Sequence, residues 1–407
     1  MGKGSRPTGT ILSRTTRTVG CTQPLPQAYW RSSEQGYVRG RGYYQLGLGM
    51  PRVSVVMAVY NGERFLRQAI DSILSQTYTD FEFIIADDGS TDGTGKILGM
   101  YQDRRIVRLK NEKNVGLAES LNRGLAIARG EFVARMDADD VSRPERLAEQ
   151  LSYLDSNPQI GLLGTDFCLM DAAGALTSGP ILKGSLSSAA VEWALCWGNP
   201  IVHPSVMFRA GTARSCGGYP EGYQYYAEDY ALWLHMLQET QAAVLGQPLL
   251  YLRKHEHNVT VVDLHAHTEE VLGVAQSALA DRLGYRPSAR CIRLVRQLPI
   301  DGPVSSSDMK QSIALLRDAF QSVVTRYGLD RAHLCQIDSD LPERLLQLVQ
   351  LYGGGHRAQS LVAFLHALRL SPQTALSSVR TRTLLRVLLG QRLTGVVRHI
   401  RQTFSLG

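Results

Sequence analysis

The sequence predicts an α/β fold, a mostly parallel sheet flanked by helices, with a helical C-terminal extension. Three observations predict it. Apolar, β-branched runs alternate with segments of helical spacing from Met50 to about Met136, the pattern of strands joined by crossover helices. Three of those runs lead into acidic or Asn-Gly segments, and open α/β sheets bind ligands at such strand ends. Beyond about residue 265 the strand pattern stops and helical periodicity takes over.

Taken in order, Val53–Val59 reads as a first strand, Phe65–Leu74 as a helix, Phe81–Ala86 as a second strand and Thr94–Tyr101 as a second helix. Ile106–Leu109 reads as a short strand, Leu117–Ala128 as a helix, and Glu131–Met136 as a strand running into Asp137. Pro144–Leu154 opens a further helix, with proline near its first turn. The stretch 157–260 is mixed, with apolar runs at Ile160–Leu163, Ser205–Phe208 and Ala243–Leu252 and helical spacing at Asp229–Leu237. Helices are then expected at Glu269–Leu283, Lys310–Tyr327, Pro342–Leu351, Gln359–Leu370 and Thr383–Gln402, with Gly353–Gly355 as a hinge. The expected division is an extension over 1–49, a catalytic domain over 50–264 and a helical region over 265–407, whose basic amphipathic tail begins at about 356.

Composition narrows the function. The chain has 407 residues, 44% hydrophobic and 20% charged, as in ordinary globular proteins. No apolar run reaches the roughly 18 residues of a membrane-spanning helix, and the N-terminus lacks the apolar stretch of a secretory signal. The six cysteines are scattered without a Cys-x-x-Cys pair, which suits reduced thiols in a cytoplasm better than a disulfide frame or zinc site. The net charge of +7 is uneven. Residues 1–49 carry Lys3 and six arginines against Glu34, and residues 356–407 carry eight arginines and no acid, so the body between them is acidic. A high overall pI therefore gives no reason to expect nucleic acid as a partner.

The ends read differently from the body. Residues 1–49 have no apolar periodicity and are expected to be disordered or spurious, with Met50, where the first strand pattern begins, as the biological start. Leu361–Leu370 and Leu384–Ile400 mix Leu, Val and Phe with Arg at helical spacing. Such a tail either lies on an anionic membrane surface or packs on the catalytic domain with its arginines solvated.

The strand ends carry the chemistry. The first strand leads into Ala58-Val59-Tyr60-Asn61-Gly62-Glu63, the second into Asp87-Asp88-Gly89-Ser90, and a later one into Asp137-Ala138-Asp139-Asp140. Carboxylates gathered on one edge repel unless a cation or donor-rich ligand is present. Mg²⁺ or Mn²⁺ with a phosphate-bearing substrate meets that need. An Asp-x-Asp alone arises about once by chance in a chain this long, so its weight comes from standing between a strand and a proline-initiated helix. Acids suiting a helix dipole, or a turn built of Asp, Gly and Ser, are the plainer explanations of these two segments.

Read together, MPRVSVVMAVYNGERFLRQAIDSILSQTYTDFEFIIADDGSTDGT, NVGLAESLNRGLAIARGEFVARMDADDVSRPERL, NPIVHPSVMFR, YAEDYALWLHML and YLRKHEHNVT resemble, in order over about 50–260, the family 2 inverting glycosyltransferases. The resemblance implies the glycosyltransferase A fold and transfer of a sugar from a nucleotide-diphospho-sugar donor, UDP-linked by preference, to a glycan or lipid-linked acceptor. By position, Asp88 resembles the aspartate that binds uracil. Ala58, where proline is usual, and Tyr60, Glu63, Asp137 and Ala138 fall where the family lines its nucleotide pocket. Asp137 and Asp139 match the metal motif for Mn²⁺ or Mg²⁺, with His255 as a further metal or diphosphate contact. Asp229 in Glu228-Asp229 matches the catalytic base, while His203 reads as structural. Neither the membrane helices nor the Gln-x-x-Arg-Trp motif of processive synthases occurs in the sequence, so addition of one or a few sugars is expected, at the cytoplasmic face of the membrane, in cell-surface polysaccharide synthesis. Two rival readings remain at this point. One is a haloacid-dehalogenase-like phosphatase using Asp137 and Asp139, whose motif normally follows the first strand. The other is a degenerate fold that only binds.

Overall fold

In the computed structural model, residues 50–370 are described except 183, 224–226, 257, 259–263, 330–336, 338–339 and 353–356. The expectations for 1–49, for Gly353–Gly355 and for a helix at Thr383–Gln402 lie outside the described residues.

The elements run β1 (Val53–Val59), α1 (Leu66–Leu74), β2 (Phe81–Asp87), α2 (Thr94–Met100), β3 (Ile106–Lys110), α3 (Leu117–Ile127), β4 (Phe132–Asp137), β5 (Val141–Ser142) and α4 (Arg146–Ser156). Then come β6 (Ile160–Met170), α5 (Ser188–Leu195), a 3₁₀ turn at His203–Ser205, β7 (Met207–Arg209), α6 (Ala210–Ser215), α7 (Glu228–Met236) and β8 (Gln241–Arg253). The C-terminal helices are α8 (Leu264–Leu283), α9 (Ala289–Val295), α10 (Ser306–Tyr327), α11 (Asp340–Tyr352) and α12 (Arg357–Leu370). One eight-stranded sheet has the order β3-β2-β1-β4-β7-β6-β8-β5. Its first four strands are parallel neighbours, and β7 is antiparallel to both β4 and β6.

Side-chain alternation divides the core. Val53, Val55, Met57 and Val59 face one side of the sheet with Phe81, Phe83 and Ile85, against Leu66, Ile70 and Ile73 of α1 and Leu147, Leu151 and Leu154 of α4. Val56, Ile84 and Val133 face the other side, against Leu121 and Leu125 of α3 and Tyr230, Trp233 and Met236 of α7. Gly124 of α3 sits where a Cβ would come within 2.6 Å of Val56 Cγ1, so only glycine lets this helix approach β1 so closely. A third cluster joins Trp193 and Trp197, in and just after α5, to Ile292, Leu316, Phe320 and Leu345 of the C-terminal helices. Those helices are thus built onto the sheet domain by burial, which removes apolar surface worth about 25 cal/mol per Å² from water.

The expected elements from Val53 to Ser156 are present with ends shifted by a residue or two. The run Ser205–Phe208 divides into a 3₁₀ turn and a three-residue strand, because Pro204 enters the turn and β7 is a short link between β4 and β6.

Candidate active site

Parallel pairing sets the site. Ala58 is opposite Asp137 in the β1–β4 register, and Val59 is opposite Asp87 in the β1–β2 register, so three strand ends share one edge. The loops beyond β1 and β2 are laced together. Asn61 N–H donates to Ser90 Oγ (3.0 Å), Thr91 N–H to Asn61 Oδ1 (2.8 Å), Gly62 N–H to Thr94 Oγ1 (2.9 Å) and Glu63 N–H to Asp92 Oδ2 (3.0 Å). Glu63 answers by accepting Gly93 N–H on Oε2 at 2.6 Å. Tyr60 projects from this loop, half exposed.

Asp88 is buried and accepts three donors. Asn111 Nδ2 and Val115 N–H reach Oδ1 at 2.8 and 2.9 Å, and Gly116 N–H reaches Oδ2 at 2.9 Å. The loop before α3 therefore closes over the end of β2. Gly89 makes the closure sterically possible: at φ +72°, its Cβ would stand 2.6 Å from the carbonyl carbon of Lys113.

On the β4 side, one oxygen each of Asp137, Asp139 and Asp140 lies within 4.8 Å of the others. Asp140 is 1% exposed. Its Oδ1 accepts Arg253 N–H at 2.8 Å, and its Oδ2 has no hydrogen-bond partner among the described residues. Burial first, then the charges of Asp139 and Asp137, push the Asp140 carboxyl well above the usual range. Asp137 is also raised by burial, against the pull of Arg135, with which it is ion-paired. His255 Nε2 stands 2.9 Å from Asp139 Oδ2, and the His255 ring packs on Phe65 at 4.9 Å. An orphaned buried oxygen within a set of hard oxygen donors is what a magnesium or manganese ion would satisfy.

Arg135 links this cluster to the remaining acids. It is 2% exposed and lies two residues before Asp137 on β4, so both point to the α7 side of the sheet. Its charge acts on Asp137 and Asp140 and also on Glu228, Asp229, Tyr219 and His203. Asp229, half-buried at the start of α7, accepts Asn199 Nδ2 on Oδ2 at 2.9 Å and Tyr230 N–H on Oδ1. Burial raises Asp229 to about 6, and burial with the neighbouring Asp229 raises Glu228 to about 8. His203 is packed against Tyr219 and Trp233, its Nε2 3.0 Å from Tyr219 Oη. Burial and the Arg135 charge hold it well below the ordinary histidine range, hence neutral.

Sequence reasoning left Asp140, Arg135, Asn199 and Arg253 without roles. Asp140 and Arg135 had a signal: an ionisable residue inside the apolar strand Phe132–Met136, and a third acid next to Asp-x-Asp, each need a partner when buried. Asn199 and Arg253 had none that a pattern would reveal. A cavity of about 840 Å³ between α7, α8 and α10 has Glu270, Ser277 and Arg326 in its walls, and none of Asp137, Asp139, Asp140, Glu228 or Asp229 lines it.

The sheet order and the acidic strand ends fit the glycosyltransferase A fold. The chain belongs to glycosyltransferase family 2, "Glycosyl transferase family 2", whose model matches residues 54–168. It is 37% identical over 207 residues to the putative glycosyltransferase EpsE of Bacillus subtilis (strain 168), covering 49% of this chain and 72% of that one. It is 32% identical over 203 residues to the amylovoran biosynthesis glycosyltransferase AmsE of Erwinia amylovora, with the same two coverages. Among solved structures, S. aureus TarS 1-349 in complex with UDP-GlcNAc aligns with a TM-score of 0.49 and 19% identity, covering 79% of this chain and 92% of that chain. The chain is therefore a glycosyltransferase, which leaves the phosphatase reading without support.

Proposed function

We propose that this enzyme transfers one sugar, or a few, from a UDP-sugar to a hydroxyl of a glycan or lipid-linked acceptor, with inversion, in cell-surface polysaccharide synthesis. The observation that carries it is the gathering of Asp137, Asp139 and Asp140 at the end of β4, where Arg135 is ion-paired to Asp137 and its charge also bears on Glu228 and Asp229 of α7. The role of AmsE in amylovoran biosynthesis supports the polysaccharide setting.

Asp137, Asp139 and Asp140 would hold Mg²⁺ or Mn²⁺, with His255 beside Asp139, and the ion would neutralise charge on the departing diphosphate. The chain's own residues do the rest. Ala58, Tyr60, Glu63, Asp88 and Ala138 frame the nucleotide along the laced edge. Among the described residues Asp88 Oδ2 accepts a single N–H and has capacity for the imide N–H of uracil. Asp229, aimed by Asn199 Nδ2 and Tyr230 N–H, takes the proton of the acceptor hydroxyl. That oxygen then bonds the anomeric carbon as the carbon–phosphate oxygen bond breaks on the opposite face. Glu228, raised further, keeps its own proton and so leaves the charge on Asp229.

Cytoplasmic placement at the inner face of a membrane is part of the same proposal. Among the described residues no helix is long and apolar enough to cross a membrane. Leu361, Val362 and Leu365 of α12 are exposed and precede the arginine-rich stretch beyond 370. Co-sedimentation with anionic vesicles, with and without residues 356–407, tests that contact.

The first test of function is thermal stabilisation by UDP, GDP and TDP with and without Mn²⁺. A metal-dependent shift for UDP that disappears in Asp139→Ala supports both donor and site. A folded protein that no nucleotide stabilises overturns the proposal.

A further inference from the structure

The acid pair is approached from a part of the chain that the family match over 54–168 does not reach. Ala227, the residue before Glu228, donates its N–H to Glu270 Oε2 of α8 at 3.2 Å. Such groups at a helix start have no partner within the helix and need one from outside. His267 lies three residues before Glu270 on the same face of α8, and both are half-buried. Packing rather than this polar contact sets the register, because Val271, Val274 and Ala275 of α8 share a core with Tyr230, Ala231 and Trp233 of α7.

We propose that Glu270 is a positioning residue for the acid pair: α8 carries its carboxylate to the N-terminus of α7, where it holds Ala227 N–H and sets a negative charge beside Glu228. The proposal rests on the reading of Asp229 as the base.

The groups that face the pair come from several elements: Arg135 from β4, Tyr219 from the loop after α6, Asn199 from the segment before β7, and Glu270 and His267 from α8. For Glu228, burial and Asp229 raise the carboxyl, Arg135 opposes, and Glu270 adds to the rise. For Asp229, burial raises the carboxyl while Tyr230 N–H, Arg135, His267 and Asn199 pull it down. Glu270 therefore bears on Glu228 directly, and a difference between adjacent carboxyls is what separates a base from a bystander.

A carboxyl raised in the folded state contributes stability at low pH that is lost as pH climbs towards its folded value. The melting temperature of the full chain should accordingly fall between about pH 5 and about pH 8. Replacing Glu270→Gln keeps an oxygen for Ala227 N–H but removes the charge, and should narrow that fall by roughly 2 °C. Glu270→Asp keeps the charge but withdraws it from Ala227, and should lower the melting temperature at both pH values while preserving the fall. Equal behaviour of the Gln and Asp variants would mean a purely structural contact and overturn the proposal, as would a wild-type pH response in Glu270→Gln. The melting experiment needs no turnover, so it stands apart from the base assignment: full transfer by Asp229→Asn would sink that reading alone.

Discussion

Two sets of acids share the sheet edge and are treated in opposite ways. Asp88 and Glu63 give oxygens to backbone N–H groups of neighbouring loops, and Asp87 gives one to Ser90 N–H of its own turn. Asp140 buries an oxygen with no donor among the described residues, and buried Glu228 and half-buried Asp229 set two carboxyls side by side. The first set is largely spent on architecture, and on the proposed reading it frames the donor. The second holds electrostatic energy that only a cation, a proton or a substrate hydroxyl relieves. Sequence motifs do not separate the two, since Asp87-Asp88 and Asp139-Asp140 look alike on paper.

Substitutions sharpen this contrast, beginning with the largest effect. Asp229→Asn should lower transfer by about a thousandfold, within the range of general-base catalysis, while nucleotide stabilisation measured by melting stays close to wild type; undiminished turnover would break the contrast. Arg135→Met should cost about 3 kcal/mol in urea unfolding, because it strands buried carboxylates that one guanidinium serves. Asp140→Asn should do the reverse in the metal-free protein, raising stability by about 1 kcal/mol as an unpaired charge leaves the interior, while weakening the Mn²⁺-dependent shift. Glu63→Ala, on the laced side, should cost only about 1 kcal/mol, the worth of its bond to Gly93, and should leave metal binding alone. The pH dependence is gentler. Asp229 must be ionised to accept a proton, so turnover should rise with pH and reach half its plateau at about 6.

Much of the sheet was legible because its strands are apolar on both faces and bounded by turn residues, as in Phe81–Asp87, buried throughout. Helix α5 was not. Ser188–Leu195 is buried nearly all round, between the β-sheet domain and the C-terminal helices, so it shows no amphipathic period. Helix α9 is only seven residues long, too short for a period to stand out. In the site, the Asp-x-Asp and Glu-Asp pairs were readable as motifs. Arg135 lay hidden in a strand that otherwise reads as core, and Glu270 reaches Ala227 across 43 residues of sequence, a distance over which no local pattern speaks.

The six hydrogen bonds that lace residues 61–63 to residues 90–94 bear on the thermodynamics of recognition. A loop already held in one shape surrenders little conformational entropy when a ligand settles on it, so more of the contact energy survives as affinity. Calorimetry of UDP binding should then show a small entropic penalty and a heat capacity change no larger than the nucleotide's own burial requires. Association should proceed in one kinetic phase, without a slow closing step.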